Sequence, residues 1–379
     1  MITLREELLL EVEKGKAGKN SGIPIGYKRM SDLLEIDKKT MYTVGAETGV
    51  GKSTIVQDAF IIRPLLWYYE NKHKKDVKLS IIYFGMEGDR VAITTRWISR
   101  IIFENEGLLI PSKKMRGKYR DKDGNIVLMN TEEEEMVDRY SKILDVWESE
   151  DSLKFYSGSK NPSGISKYIE MFARKHGTIT ERVQKNKEET TLDDVLATKS
   201  YKPHHPNHIV LIITDHISIL LPEREAGEGK TKMNIDKFSR TMREAKDIYE
   251  FSPVIVQQLN RNLSDVTRQK LGDLKPKLSD FADSSATSHD SEIMLALHDP
   301  YRHGDVKAEL GYDLTRLRDE KGDTYYRSLY ILKSRHGTSN MAIQMALHPQ
   351  TGKMMSLPRS SDITDQLYQD VITGKYFLE

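Results

Sequence analysis

One segment near the amino end constrains the fold and the chemistry of this chain more than any other: Ala46-Glu47-Thr48-Gly49-Val50-Gly51-Lys52-Ser53. The apolar, β-branched stretch 41–44 before it predicts a strand, and the stretch 54–62 after it predicts a helix. Strand, glycine-rich loop and helix in this order are typical of a phosphate-binding loop, in which backbone N–H groups hold phosphate oxygens. Lys52 would add a positive charge near the phosphates, and Ser53 would offer a hydroxyl to Mg²⁺. The first position is Ala46, where this motif usually has glycine.

The composition limits the class of protein. Of the 379 residues, 38% are hydrophobic, which is enough for a sizeable core. Lys and Arg number 58 against 57 Asp and Glu, so a nucleic-acid site would have to be a local basic patch. The absence of cysteine excludes disulfides and thiolate metal sites. Because there is no run of about 18 apolar residues and no basic leader, we expect a cytoplasmic protein without a membrane partner.

Apolar stretches that suit strands alternate with helical periodicity along most of the chain. The predicted strands are 79–84, 209–213 and 254–256, and the predicted helices are 90–103, 165–175 with Ser163 as N-cap, and 236–249. Continuous apolar strands that alternate with helices predict an α/β fold with a mostly parallel sheet, covered by helices on both faces.

The predicted organisation has three parts: 1–20, a short helix and a basic linker; 21–358, the α/β domain; and 359–379, a tail expected to be disordered. The first helix, 3–15, carries Leu4, Leu8, Leu9 and Val12 on one stripe. Such a stripe must pack on this chain's own core or on a neighbouring subunit. Two polar segments, 111–136 and 178–207, interrupt the α/β pattern and are predicted to be surface insertions.

Acidic residues follow two of the predicted strands. Asp215 ends the apolar run 212–215, and Glu87 comes soon after the strand 79–84. Because ligands bind outside the carboxyl ends of parallel strands, both carboxylates are expected beside the phosphate loop. Asp215 would complete the Mg²⁺ shell that Ser53 begins, and Glu87 would orient and deprotonate a water molecule.

Six blocks occur in a characteristic order: 46–53, Gly85-Met86-Glu87, 213–219, 256–261, Ser279-Asp280-Phe281 and 331–337. This set resembles the RecA-like ATPase domain of the DnaB-type replicative helicases and, in the block 215–219, the phage primase-helicases. The resemblance extends over 20–355 without the two insertions. It implies a P-loop NTPase core that uses ATP and Mg²⁺, and a hexameric ring that moves 5′ to 3′ on single-stranded DNA and unwinds duplex. A primase or a helicase loader would be a further partner.

The resemblance also implies roles for individual residues. Glu87 would be the catalytic carboxylate, and Gln258 would sense the γ-phosphate. Lys333 and Arg335 would reach the ATP site of the next subunit, with Arg335 as the arginine finger. Alternate residues of a strand share one face, and a donated cation stabilises charge that builds in the transition state. The cofactor-binding set would be Ala46, Glu47, Thr48, Gly49, Val50, Gly51, Lys52, Ser53, Thr54 and Asp215, with Ser53 and Asp215 at Mg²⁺.

Two loops lie where such rings line a central channel, and both contain basic residues. The predicted DNA-binding residues are Lys230 and Lys232 after the Asp215 strand, and Arg261, Arg268, Lys270, Lys275 and Lys277 after Gln258. The second loop has no aromatic residue, so phosphate contacts rather than base stacking are expected.

Two other classes of protein fit the same nucleotide motif. One is a RecA-like or RadA-like recombination or repair ATPase, and the other is an ATP-switched assembly protein that does not unwind DNA. The Lys-x-Arg pattern at 333–335 favours the helicases over the recombinases. Glu87 argues against a pure switch, which needs no fast activation of water.

Neutralising Lys270, Lys275 and Lys277 together tests the predicted phosphate contacts. We expect weaker binding to single-stranded DNA of every sequence and a salt slope reduced by about 2, since each lost phosphate contact removes about 0.7 from that slope. Fluorescence anisotropy over a series of salt concentrations measures both. An unchanged slope would show that these lysines make no phosphate contact.

Overall fold

The computed structural model describes residues 3–16, 22–31, 33–181, 199–223, 231–260, 268, 274–281, 289–303, 306–335 and 337–378, with only the backbone at 231 and 232. The helices are α1 (Leu4–Lys16), α2 (Lys28–Ser31), α3 (Lys52–Gln57), α4 (Arg63–Asn71), α5 (Arg90–Glu106), α6 (Ser112–Met115), α7 (Thr131–Ser149), α8 (Pro162–His176), α9 (Thr231–Asp247) and α10 (Asp365–Ile372). The strands are β1 (Ile23–Pro24), β2 (Glu35–Ile36), β3 (Tyr42–Ala46), β4 (Lys78–Gly85), β5 (Leu153–Ser157), β6 (Gly177–Glu181), β7 (Lys199–Pro203), β8 (His208–Asp215), β9 (Ser252–Gln258), β10 (Ile293–His298), β11 (Ala308–Glu309), β12 (Tyr312–Asp313), β13 (Tyr326–Ser334), β14 (Met341–Leu347) and β15 (Met354–Ser356).

A nine-stranded sheet organises the described residues, in the order β15-β14-β13-β10-β3-β9-β8-β4-β5. The run from β10 to β5 is parallel throughout. The remaining three strands, β13 to β15, are antiparallel and lie at one edge. The predicted α/β fold with a mostly parallel sheet is therefore confirmed, and each predicted strand and helix is present within a few residues.

Helices cover both faces of this sheet, and the strand residues divide between them by alternation. On β8, Ile209, Leu211 and Ile213 pack in one core with residues of α3, α4 and α5. Val210 and Ile212 point the other way and pack with residues of α8 and α9. Because successive side chains of a strand point to opposite faces, a strand covered on both sides must be apolar throughout.

The segment 111–136 is only partly an insertion. A turn at Gly124 (φ 85°), closed by a bridge between Arg120 and Ile126, matches the predicted hairpin turn. However, α7 begins at 131, and its first turn is stabilised by a capping box between Asn130 and Glu133. The glutamates at 132–135 therefore start a long helix, because acidic side chains are favourable at a helix N-terminus.

Two further boundaries differ from the sequence prediction. The N-cap of α8 is Asn161, which accepts a hydrogen bond from Gly164 N at 3.1 Å, and not Ser163. Pro162 occupies the first position of the helix, where a missing N–H costs nothing. In the segment 178–207, strands β6 and β7 form an antiparallel hairpin, and 182–198 lies outside the described residues.

The carboxyl end is folded, so the prediction of a disordered tail is wrong. Thr364 caps α10, and Leu367, Tyr368 and Val371 are buried on one side of it. Phe377 is fully buried and joins the same core as Phe103 of α5. The polar residues at 360–366 hide this in the sequence, but the apolar spacing after them suits a short helix that packs on the domain.

A buried carboxylate links four separate segments behind the phosphate loop. Asp58 begins a π-helical turn, Asp58–Ile62, between α3 and α4, and is only 1% exposed. Tyr27 donates a hydrogen bond to it, Arg63 Nε lies 3.1 Å from Oδ1, and Arg100 forms an ion pair with it. Burial and this carboxylate raise the pKa of Tyr27. Removing one partner from a buried pair of this kind costs about 3–5 kcal/mol, so the cluster fixes the phosphate helix to the domain.

Helix α1 has no buried residue, and its leucines are among the most exposed apolar side chains described: Leu4 is 86% exposed and Leu8 is 64% exposed. The predicted apolar stripe is therefore not covered by the described part of this chain. None of the helices in the described ranges is both long and apolar enough for a membrane span.

Two buried histidines make the stability of the fold sensitive to acid. Burial and the nearby Lys78 lower the pKa of His176 to about 4 and of His208 to about 3. In the unfolded chain both titrate near pH 6.5. The unfolded state therefore binds more protons between about pH 6.5 and 4, and the free energy of unfolding falls as the pH drops through this window.

We expect the melting temperature to fall from pH 7.5 to pH 5.0, and to fall less in a His208→Asn variant. Scanning calorimetry measures both, and His73→Gln, an exposed histidine, is the matched control. An equal fall in His208→Asn and wild type would contradict this assignment.

Candidate functional site

The phosphate loop has the backbone that its sequence predicts. It leaves the central strand β3 and turns through Gly49 (φ 76°) and Gly51 (φ 112°), values that strain any residue with a side chain. Helix α3 starts at Lys52, and no side chain caps its N-terminus at Gly51. Its first N–H groups are thus available to an anion, as in other phosphate-binding loops. Thr54 packs against the turn at Gly352.

The register of the sheet brings the predicted site residues to one edge. Ala46, the first residue of the loop, pairs with Gln258 at the end of β9, and Leu259 N donates to Ala46 O at 3.1 Å. Gly85 at the end of β4 pairs with Asp215 at the end of β8. Parallel strands that end together therefore place the loop, Gln258 and Asp215 side by side.

Asp215 and Ser53 are in direct contact. Ser53 Oγ donates to Asp215 Oδ1 at 3.1 Å, and the hydroxyl of Tyr83 donates to Oδ2 at 3.1 Å. Burial raises the pKa of Asp215, and these two hydrogen bonds oppose that rise. A hydroxyl beside a carboxylate is an oxygen ligand set of the kind that Mg²⁺ prefers, so the residues present fit this ion.

Glu87 and Lys52 lie in the same electrostatic environment. Lys52 is 8% exposed; burial lowers its pKa, while Asp215 and Glu87 raise it. The Glu87 side chain is 67% exposed, and its Oε2 lies 3.4 Å from His216 Nε2. Met86 N donates to Asp215 O at 2.9 Å, which ties the backbone before Glu87 to the end of β8. Glu87 is therefore anchored next to the site but open on one side.

Two arginines that the sequence prediction missed contact the phosphate loop. Arg327 Nε donates to Val50 O at 3.2 Å, and its guanidinium pairs with Asp299 at 3.2 Å. The exposed Arg302 lies so close that a methyl group placed on Gly49 would be 2.7 Å from its Nη2. Both come from the β10 and β13 region, which is adjacent to β3 in the sheet but distant in sequence.

Lys333 and Arg335 lie at the opposite edge from the loop. Lys333 pairs with Met294 at the start of β10, and Met294 pairs with Thr43 near the start of β3. Three residues of extended strand separate Thr43 from Ala46, which is about 10 Å. Arg335 continues away from the loop. The two cations are on one side, as predicted, because both donate to the carbonyl oxygen of His289, at 3.4 and 3.1 Å.

The predicted DNA-binding residues are only partly described. Arg268 has a structural contact: Nη1 lies 2.8 Å from Oδ1 of the buried Asp280, and Nη2 donates to Lys275 O at 2.8 Å. The side chains of Lys275 and Lys277 are exposed. Residues Lys230, Arg261 and Lys270 and the side chain of Lys232 lie outside the described part of the chain. DNA binding by this set remains a prediction.

Comparison with known proteins gives a consistent family. A family model of the DnaB-like helicase C-terminal domain matches residues 125–355, more than half of the chain. That stretch includes Asp215, Gln258 and Arg335 but begins after the phosphate loop and Glu87. A sequence comparison with curated proteins finds no match.

Two solved structures share the fold over 94% of this chain. One is a DnaB-like replicative helicase, described with its interactions with primase: the TM-score is 0.62, the identity is 15%, and 69% of that chain is covered. The other is an ATPase domain solved on its own, with a TM-score of 0.62, 16% identity and 99% of that chain covered.

Proposed function

Because this chain belongs to the DnaB-like helicase family, whose members are ATP-dependent DNA helicases, we propose that six copies form a ring around single-stranded DNA and complete one another's ATP sites. Hydrolysis in this ring drives translocation 5′ to 3′ and the unwinding of duplex DNA. Family membership favours this motor over a recombination ATPase or an assembly switch.

One protomer supplies the binding half of each site. Residues 46–54 hold the phosphates of ATP, with Lys52 as the cation and the open N-terminus of α3 as the anion-binding end. Ser53 and Asp215 would hold Mg²⁺, which neutralises phosphate charge when it is bound. The 3.1 Å contact between these two oxygen groups supports this assignment.

Two further side chains of the same protomer act on the reacting end of ATP. Glu87 orients the attacking water and accepts its proton, which requires a carboxylate beside the loop that water can reach. Its exposed position next to His216 supports this role. Gln258, paired with Ala46 at the neighbouring strand end, senses the γ-phosphate.

The neighbouring protomer supplies Lys333 and Arg335. The observation that carries this proposal is their place at the opposite edge of the sheet from the loop. From there they do not reach the site of their own chain, but a head-to-tail neighbour would bring them to its exposed side, where Glu87 is open. A guanidinium delivered there stabilises charge that develops during phosphoryl transfer.

DNA and protein partners follow from the ring. The basic loops with Lys230, Lys232, Arg261, Arg268, Lys270, Lys275 and Lys277 face the central channel and track phosphates. Arg268, held by Asp280, positions this loop as well. The similar replicative helicase is described with primase, and we propose a primase or a loader as the partner of this ring in a phage replication system.

A mixing experiment tests the shared site. Lys52→Ala removes phosphate binding but leaves the finger, and Arg335→Ala removes the finger but leaves the loop. Each variant alone is expected to have almost no DNA-stimulated ATPase activity. In a head-to-tail ring of a 1:1 mixture, about a quarter of the sites combine an intact loop with an intact neighbour. Steady-state ATPase activity should therefore rise to about a quarter of the wild-type value.

The double variant Lys52→Ala/Arg335→Ala, mixed with the wild-type chain, is the control for random subunit exchange. If the mixture of single variants stays at the sum of its parts while the control shows exchange, Arg335 does not act between subunits.

Helix α1 is proposed to close the ring by packing its exposed stripe on the next protomer. Replacing Leu8 and Leu9 with Ala should shift the particle from hexamer toward monomer, because burying two leucines contributes about 3–6 kcal/mol per interface. Light scattering coupled to gel filtration measures the mass. Replacing Glu7 and Glu13, which lie off the stripe, with Ala is the matched control, and an unchanged mass in the leucine variant would contradict this role.

A further inference from the structure

A chain of hydrogen bonds leads from the interior of the domain to Asp215. Trp97 Nε1 donates to Gln57 Oε1 at 3.0 Å, and Gln57 Nε2 donates to the hydroxyl oxygen of Tyr83 at 3.0 Å. The Tyr83 hydroxyl then donates to Asp215 Oδ2 at 3.1 Å. All four side chains are at most 5% exposed, so this chain is closed to solvent.

The direction of the chain is fixed by its first member. An indole N–H can only donate, so the carbonyl oxygen of Gln57 must face Trp97 and its amide nitrogen must face Tyr83. The Tyr83 oxygen then accepts from Gln57, which leaves its own proton for Asp215. Packing supports the same arrangement, because the ring of Tyr83 lies 4.8 Å from that of Phe155.

Helix α3 thereby holds both oxygens of one carboxylate. Ser53 and Gln57 are four residues apart and share a face of the helix. Ser53 contacts Oδ1 directly, whereas Gln57 reaches Oδ2 through Tyr83. The orientation of Asp215 is thus tied to the helix that begins at the phosphate loop.

We propose that Tyr83 is a positioning residue for the metal site: it fixes the Asp215 carboxylate for Mg²⁺, and Gln57 and Trp97 hold its hydroxyl in place. This inference rests on the proposed role of Asp215 at Mg²⁺. Partners that orient a metal ligand typically contribute 10–100-fold to metal affinity. Tyr83 lies inside a buried strand, where an aliphatic residue would serve packing equally well, so its hydroxyl needs a separate explanation.

Binding of Mn²⁺ in place of Mg²⁺ tests this role without turnover. The full-length chain is saturated with ADP, and free Mn²⁺ is followed by electron paramagnetic resonance during a titration. Tyr83→Phe should raise the half-saturating Mn²⁺ concentration about 10-fold. Its affinity for ADP in the presence of EDTA should not change, because the loop is intact. Gln57→Leu should shift Mn²⁺ binding in the same direction by a smaller factor.

Two further variants separate the possible outcomes. Tyr156→Phe removes a hydroxyl from the adjacent strand β5 and should leave Mn²⁺ binding unchanged. Asp215→Ala tests the metal site itself. If Asp215→Ala weakens Mn²⁺ binding but Tyr83→Phe and Gln57→Leu do not, the positioning role is overturned and the metal site stands. If Asp215→Ala has no effect, both are overturned. Should Tyr83→Phe fail to fold by circular dichroism, Gln57→Leu alone decides.

Discussion

The parallel run of strands from β10 to β5 is the constraint on which the remaining structure depends. Parallel neighbours in register end at the same edge, so the backbone alone brings Ala46, Gln258 and Asp215 together from three distant parts of the chain. The same register places Lys333 at the other edge through its pairing with β10. Hydrogen bonding along strands therefore decides which charged groups can share a site within one protomer.

Buried charge near the loop is stabilised by many small contacts. Asp58 behind the phosphate helix and Asp215 in front of it are both almost inaccessible to solvent. Each is surrounded by donors: Tyr27, Arg63 and Arg100 at Asp58, and Ser53 and Tyr83 at Asp215. A buried carboxylate without such partners would be strongly unfavourable. The phosphate helix is held at both ends of its sequence by this arrangement.

Periodicity in the sequence was sufficient for the main elements and for the edge at which the site forms. A strand such as 209–213, apolar at every position, has one stable environment, between two layers of helices. Local capping was harder to predict, because Asn161 and Ser163 are both good caps and the choice depends on Pro162. The folded carboxyl end was missed, since its apolar residues follow a polar stretch.

Contacts between distant segments could not be predicted from one sequence. Tyr83, Arg302 and Arg327 look like ordinary strand or surface residues until the sheet brings them to the loop. The sequence contains a signal for one of them: a glutamine at position 57, on the buried face of a helix, needs a polar partner. Nothing comparable marks Arg302 or Arg327.

Placing the donor cations and the receiving loop on opposite edges has a geometrical consequence. A contact between two different surfaces of identical subunits is heterologous, so every copy in a closed assembly faces the same way around the axis. Such an assembly has two unlike faces, and a polymer threaded through it meets each subunit in the same orientation. Directional motion is then a property of the strand order, present before any DNA contact is made.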